Sequence, residues 1–170
     1  GGEPLLEYNK IVYAVNKMSQ LVENRQILYN FTTNATLMTE EMVKFFIQNK
    51  FSIAISLDGP KKYHDYNRVD ASGEPTFEKV MNSIRLIQSL DLEYFRTNVS
   101  FVCVAPGLIG LEEIFDFFSE FDVDFVITSI SPGGTYDIDT YRSDVEYLSS
   151  KDEVLGNLGT SYLSQLIDQG

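Results

Sequence analysis

Apolar residues along this chain follow two periods that take turns. Ile11, Val15, Met18 and Val22 fall at helical spacing, and the β-former-rich stretch from Gln26 to Thr32 follows as a strand. Thr39 reads as an N-cap before Glu40 and Glu41, with Met42, Phe46 and Ile47 as the buried stripe of a helix that stops near Asn49. Phe51 to Leu57 is the next strand, closed by the turn Asp58-Gly59-Pro60. From Lys61 to Pro75 the composition is that of a long loop after a strand end, a place where function concentrates. Thr76 then caps a helix whose face is Phe77, Val80, Met81, Ile84 and Ile87. A strand from Thr97 to Val104 ends at Pro106-Gly107, a helix carries Leu111, Ile114, Phe115 and Phe118, and Asp124 to Ile130 is a last strand before Pro132-Gly133-Gly134.

Strictly alternating helices and strands call for right-handed crossovers, so the strands lie parallel under packed helices and the fold class is α/β. Part of a (β/α) barrel and a small doubly wound sheet both fit this pattern. Residues 135–170 break it: Tyr136, Tyr141 and Tyr147 sit among acids, and Leu155, Leu158, Tyr162 and Leu166 hint at one more amphipathic helix. The expected organisation is a core over 1–134 and a linker with a partial extra element over 135–170.

Composition narrows the function. With 44% hydrophobic residues over 170 positions the chain can bury one sizeable core. A net charge of −12 repels phosphate backbones and anionic lipid, so nucleic acid is not an expected partner. No apolar run reaches the length of a membrane span and no basic-then-apolar leader opens the sequence, which gives the expectation of a cytoplasmic protein. One cysteine, Cys103, rules out an internal disulfide framework and a cysteine-based metal site made by this chain alone. Opening on Gly1-Gly2 without Met and closing on Gln169-Gly170, the chain reads as an internal piece of a longer protein.

The strand ends collect the candidate chemistry. Gly1-Gly2-Glu3-Pro4, Thr32-Thr33-Asn34, Ser56-Leu57-Asp58-Gly59 and Arg68 all point to one rim. Arg68 can fork a carboxylate, Ser56 can donate to it, Glu3 can accept from an ammonium or from ribose hydroxyls, and paired glycines let a ligand approach the backbone. A zwitterionic, ribose-bearing ligand suits that rim.

Gly-Gly-Glu-Pro, Thr-Asn-Ala-Thr-Leu, Ser-Leu-Asp-Gly-Pro and His-Asp-Tyr-Asn-Arg, in this order from Gly1 to about Ile130, resemble the radical S-adenosylmethionine family. The similarity is to its members with a SPASM or twitch extension, such as anaerobic sulfatase maturases and ribosomal-peptide maturases. The resemblance implies a partial radical enzyme core with S-adenosylmethionine as cofactor. It implies that Gly1, Gly2, Glu3 and Pro4 contact the methionyl ammonium and ribose, that Ser56 and Arg68 engage the carboxylate, and that the backbone near Ile127 backs the adenine. Asn34 falls on the substrate side, with Ala35 where the family commonly has glycine. The complete parent would hold a [4Fe–4S] cluster in a CxxxCxxC loop that is missing here. It would cleave the cofactor to a 5′-deoxyadenosyl radical and modify a peptide or protein with electrons from a reductant protein. This chain alone would be inactive, and its uncovered edge strand and helix faces would favour self-association.

Rival readings stand beside these. Gly1-Gly2 also reads as a turn or an expression scar, Arg68 as an ordinary loop ion pair, and Asp58 as a residue ordering its own turn. His64 beside Asp65 resembles a base, but with no nucleophile motif a structural role is preferred. Cys103 reads as a small buried hydrophobe. A barrel enzyme using a glycine-rich strand end to hold a phosphate ranks below both, and a binding or regulatory module with a degenerate cofactor site is the main alternative function.

Overall fold

The computed structural model describes residues 2–22, 26–105 and 111–129. Gly1, the turns expected at Pro106-Gly107 and Pro132-Gly133-Gly134, and the whole of 135–170 lie outside the described residues. Pro4 has the φ that a first helical position wants and opens a 3₁₀ turn, Pro4–Glu7, that runs straight into helix α1, Tyr8–Leu21. Of the stripe expected on α1 only Val15 is buried, and Met18 remains 40% exposed. Strand β1 is Asn30–Thr33, shorter than its sequence suggested, because its neighbour β2, Ser52–Ser56, supplies ladder partners only from Asn30 onward. Tyr29 contributes a single bond, accepting from Ser52 N at 2.8 Å, and stacks on Phe51. Helix α2, Glu40–Gln48, begins where expected, with Thr39 Oγ1 accepting from Met42 N at 3.3 Å, and buries Val43 and Phe46.

Between β2 and β3 the structure departs from the sequence reading. Helix α3 covers Lys61–Asn67, inside what composition marked as loop, and is followed by an isolated antiparallel bridge between Val69 and Pro75. Helix α4, Phe77–Leu90, is followed at once by a further helix α5, Leu92–Asn98, which takes up Thr97 and Asn98 and leaves β3 as Val99–Ala105. Three helices therefore separate β2 from β3, and alternation is not strict. Thr76 stands at the N-cap of α4 but its hydroxyl is turned elsewhere; Asp65 Oδ1 accepts from Phe77 N at 2.9 Å in its place. Helix α6, Leu111–Ser119, and strand β4, Phe125–Ser129, complete the described chain.

All three strand pairs are parallel and the spatial order is β1-β2-β3-β4. Strand order follows chain order, without the reversal that defines a doubly wound sheet, so the sheet is an arc of a (β/α) barrel. The helices lie on one side of it. Phe46 of α2 meets Phe31, Phe95 of α5 meets Phe101, and Phe118 of α6 stacks on Phe125, and register puts these strand residues on a common face with Ile53, Ile55 and Cys103. That face is the core. The opposite face runs through Thr32, Ala54 and Ser100 and through Ser56, Val102 and Val126, and is half-buried to exposed along its length.

Candidate functional site

Parallel strands bring their C-terminal ends to one rim, and two carboxylate anchors organise it, one half-buried and one buried. The first is Glu3. Its Oε1 accepts from Leu5 N at 3.1 Å and from the Thr33 hydroxyl at 2.6 Å, and its Oε2 accepts from Asn34 N at 2.8 Å. The carboxylate thus caps the Pro4–Glu7 turn and clamps the end of β1, with one acceptor position of Oε2 left over. Thr33 Oγ1 also accepts from Ala35 N at 2.9 Å, and Asn34 Oδ1 accepts from the amide and hydroxyl of Thr36, so the Asn34 amide Nδ2 has no protein partner among the described residues. Ala35 takes the left-handed conformation of a glycine, φ 55°, while fully buried, and its carbonyl accepts from the Ser83 hydroxyl at 2.7 Å. Alanine therefore keeps the backbone shape that a glycine would give, at a cost of about 1–2 kcal/mol.

The second anchor is Asp58. Gly59 leaves β2 with φ +87°, and a Cβ there would stand 2.8 Å from Ile114 Cγ1, so the glycine of Ser-Leu-Asp-Gly-Pro is fixed both by dihedral and by the close approach of α6. Asp58 does not order its own turn. Its Oδ1 accepts from Val104 N at 2.8 Å, tying the end of β2 to the end of β3, and Arg68 binds it in a fork, Nε to Oδ2 at 2.7 Å and Nη2 to Oδ1 at 2.9 Å. The carboxylate is 2% exposed and the guanidinium 26%, which makes this a partly desolvated, bidentate pair. Arg68 Nη1 is left without a protein partner among the described residues.

His64 is fully buried, edge-on to Phe77. Its Nδ1 accepts from Asp58 N at 3.2 Å, its Nε2 meets Thr76 Oγ1 at 3.0 Å, and that hydroxyl donates to Arg68 O at 2.9 Å. Because the Thr76 proton is spent on Arg68 O, the ring must donate from Nε2 and is neutral. Burial pushes the imidazole below its ordinary value, against the pull of Asp58 and with help from Arg68. With its lone pair committed to Asp58 N–H, His64 is not a general base.

Between the two anchors opens a cleft of about 420 Å³. Glu3, Asn34, Asn67, Asp70 and Arg68 give it polar walls, Leu6, Leu37 and Val69 an apolar lip, and His64 and Thr76 back it. The cleft brings together Glu3, Asn34 and Arg68, three residues that the sequence took from three separate motifs. Pro4 opens the turn that Glu3 caps and does not line the cleft, and the space beside Gly2 is open. Ser56 ends β2 on the open face and does not line this cleft. Ile127 packs its side chain into the helix-covered core, in register with Cys103. Thr33, Asp58, His64 and Thr76 hold the site; all four stand out in the sequence as rim, motif or cap residues, but nothing in it marks these anchoring roles.

The sequence profile of the Radical SAM superfamily matches residues 1–129. The chain belongs to this superfamily. It is 33% identical over 130 residues to a cysteine-type anaerobic sulfatase-maturating enzyme of Clostridium novyi, covering 74% of this chain and 33% of that protein. It is 36% identical over 98 residues to a serine-type anaerobic sulfatase-maturating enzyme of Bacteroides thetaiotaomicron, covering 55% of this chain and 23% of that one. A solved structure of native anSMEcpe with bound AdoMet superposes with a TM-score of 0.74 at 26% identity, over 93% of this chain and 47% of the other. The same protein has been solved with AdoMet and the Kp18Cys peptide. The chain spans about a third of the length of the curated relatives it matches. The fold of this radical SAM chain is thus the α/β arc of a barrel whose matched portion ends with β4.

Proposed function

We propose that this chain is the cofactor-side arc of a radical SAM enzyme, and that its cleft takes the amino-acid end of S-adenosylmethionine. The observation that carries the reading is the convergence of Glu3, Asn34 and Arg68 on one cleft at the C-terminal rim, where α/β folds place ligands. The donor set fits the ligand: Arg68 Nη1 for the carboxylate, the remaining Glu3 acceptor for the ammonium or a ribose hydroxyl, Asn34 Nδ2 for a further oxygen, and open space at Gly2 for close approach. Ser56 and the β4 backbone near Ile127 belong to the more distant part of the same site. S-adenosylmethionine supplies radical chemistry when reduced; the residues here bind and orient it. Relatives that mature sulfatases, and the peptide in a related structure, support a peptide or protein substrate lying along the apolar lip of Leu6, Leu37 and Val69.

A [4Fe–4S] cluster does not fit the residues present. The one cysteine, Cys103, is buried on the helix side of β3 with its thiol pushed up to about 12, first by burial and then by Asp58, and no group of metal-binding side chains occurs among the described residues. In this reading a cluster of the complete protein draws its cysteines from outside this stretch, residues 1–134 are a continuous piece of core, and 135–170 begin an extension. A reductant protein and a reducing, cytoplasmic setting go with it; no described helix is long and apolar enough to cross a membrane.

Calorimetric titration of the chain with S-adenosylmethionine tests the proposal. Arg68→Gln combined with Asp58→Asn keeps the Val104 N–H satisfied and avoids a buried unpaired carboxylate, and is expected to weaken binding about tenfold or more through the lost charge-assisted bond. Binding unchanged in that double variant would remove Arg68 from the site.

A further inference from the structure

Arg68 is held from both ends by one closed ring of hydrogen bonds, and His64 closes it. Starting from Asp58, the backbone N–H donates to His64 Nδ1 at 3.2 Å, His64 Nε2–H donates to Thr76 Oγ1 at 3.0 Å, and Thr76 donates to Arg68 O at 2.9 Å. The Arg68 guanidinium then returns to the Asp58 carboxylate at 2.7 and 2.9 Å. Four segments meet in this ring: the end of β2, the middle of α3, the residue after α3, and the N-cap of α4. We infer that His64 is the positioning residue for the cleft's guanidinium: it fixes Asp58 and, through Thr76, the Arg68 backbone, so that Nη1 is the one guanidinium nitrogen presented to a ligand carboxylate. An arginine ordered in advance gives up little further side-chain freedom on binding an anion, so the ring sets preference for carboxylate-bearing ligands. A histidine suits the place because its two nitrogens lie on opposite edges of a rigid ring; neither asparagine nor glutamine spans both partners in the same way.

The ligand part of this inference rests on the S-adenosylmethionine reading, and the test separates the two. On the 170-residue chain, proton–nitrogen spectra follow the Arg68 Nε–H, and calorimetry compares S-adenosylmethionine with decarboxylated S-adenosylmethionine. His64→Asn places an acceptor near Asp58 N but loses the donor to Thr76. Thr76→Val makes the same break with nearly unchanged shape, and covers the case in which His64→Asn does not fold; Thr76→Ser restores the hydroxyl. The parent and Thr76→Ser are expected to show a slowly exchanging Arg68 Nε–H. In His64→Asn and Thr76→Val that signal should be lost to solvent exchange, and preference for the carboxylate-bearing ligand over the decarboxylated one should fall about fivefold or more, whatever loss the two ligands share. A persistent Arg68 signal in both variants, or equal loss for both ligands, overturns the inference. If neither ligand binds the parent chain, the S-adenosylmethionine reading fails and the Arg68 signal alone decides whether His64 positions it.

Discussion

Single residues at the rim are constrained by chemistry that can be tested one substitution at a time. Gly59 combines a left-handed φ with a Cβ path that ends 2.8 Å from Ile114 Cγ1. Gly59→Ala is therefore expected to cost about 2–4 kcal/mol in urea unfolding, from dihedral strain and overpacking together. Adding Ile114→Ala should recover part of the overpacking share, so the two changes should cost less together than summed. His64 offers a pH test, since it is the single histidine of the chain. Unfolded, an imidazole gains its proton near pH 6.5 or about there; folded, burial and Arg68 and Lys61 hold it neutral to lower pH, opposed by Asp58 and Asp65. Over that interval the unfolded state binds more protons, so stability should be complete above about pH 6.5 and decline as the pH falls below it. Denaturant midpoints at mildly acidic and neutral pH should show this limb in the parent chain, flattened in His64→Asn.

Elements explain what could and could not be read in advance. The helices with an apolar stripe, α2, α4 and α6, were legible because the period is carried by residues that end up buried, such as Phe46, Ile84 and Phe118. Helix α3 was not: Lys61–Asn67 buries only His64, and its stability comes from the Pro60 start, the Lys61–Asp65 pair at 2.5 Å and contacts with α4. Helix α5 was hidden for the opposite reason. Its Tyr94, Phe95 and Thr97 run into Val99 as one β-former-rich stretch, and only the Asp91 cap, accepting from Tyr94 N at 2.8 Å, separates helix from strand. At the site, Glu3, Asn34 and Arg68 were visible as motif residues, whereas the anchoring of Asp58 to Val104 joins positions 46 apart and leaves no local trace. Asp65 shows the same limit at an element boundary. Since it caps α4 from twelve residues away, Asp65→Ala should cost about 1–2 kcal/mol, and Asp65→Asn, which keeps the acceptor, distinctly less. Thermal melts of the two variants check the ranking.

The arc as a whole presents two unlike faces, and that asymmetry gives a prediction about association. Helices seal one side with Phe31, Phe101 and Phe125, while the other exposes a row running from Ser56 through Val102 to Val126, the last 43% exposed, on the outermost described strand. Among the described residues, this arc offers the apolar pair Val102 and Val126 and, on β4, a strand laddered on one side alone, both open to another molecule. Against that stands a net charge of −12, which pushes copies apart most strongly at low salt. We expect sedimentation velocity to show concentration-dependent association that grows as salt screens the repulsion. Val126→Lys provides a strict control. It makes the chain less negative and so weakens the repulsion, yet it puts a charge in the apolar pair. If the pair drives association, the lysine variant should associate less than the parent chain in spite of its smaller net charge; if it associates as much or more, charge alone is in control and the open face is not the contact surface.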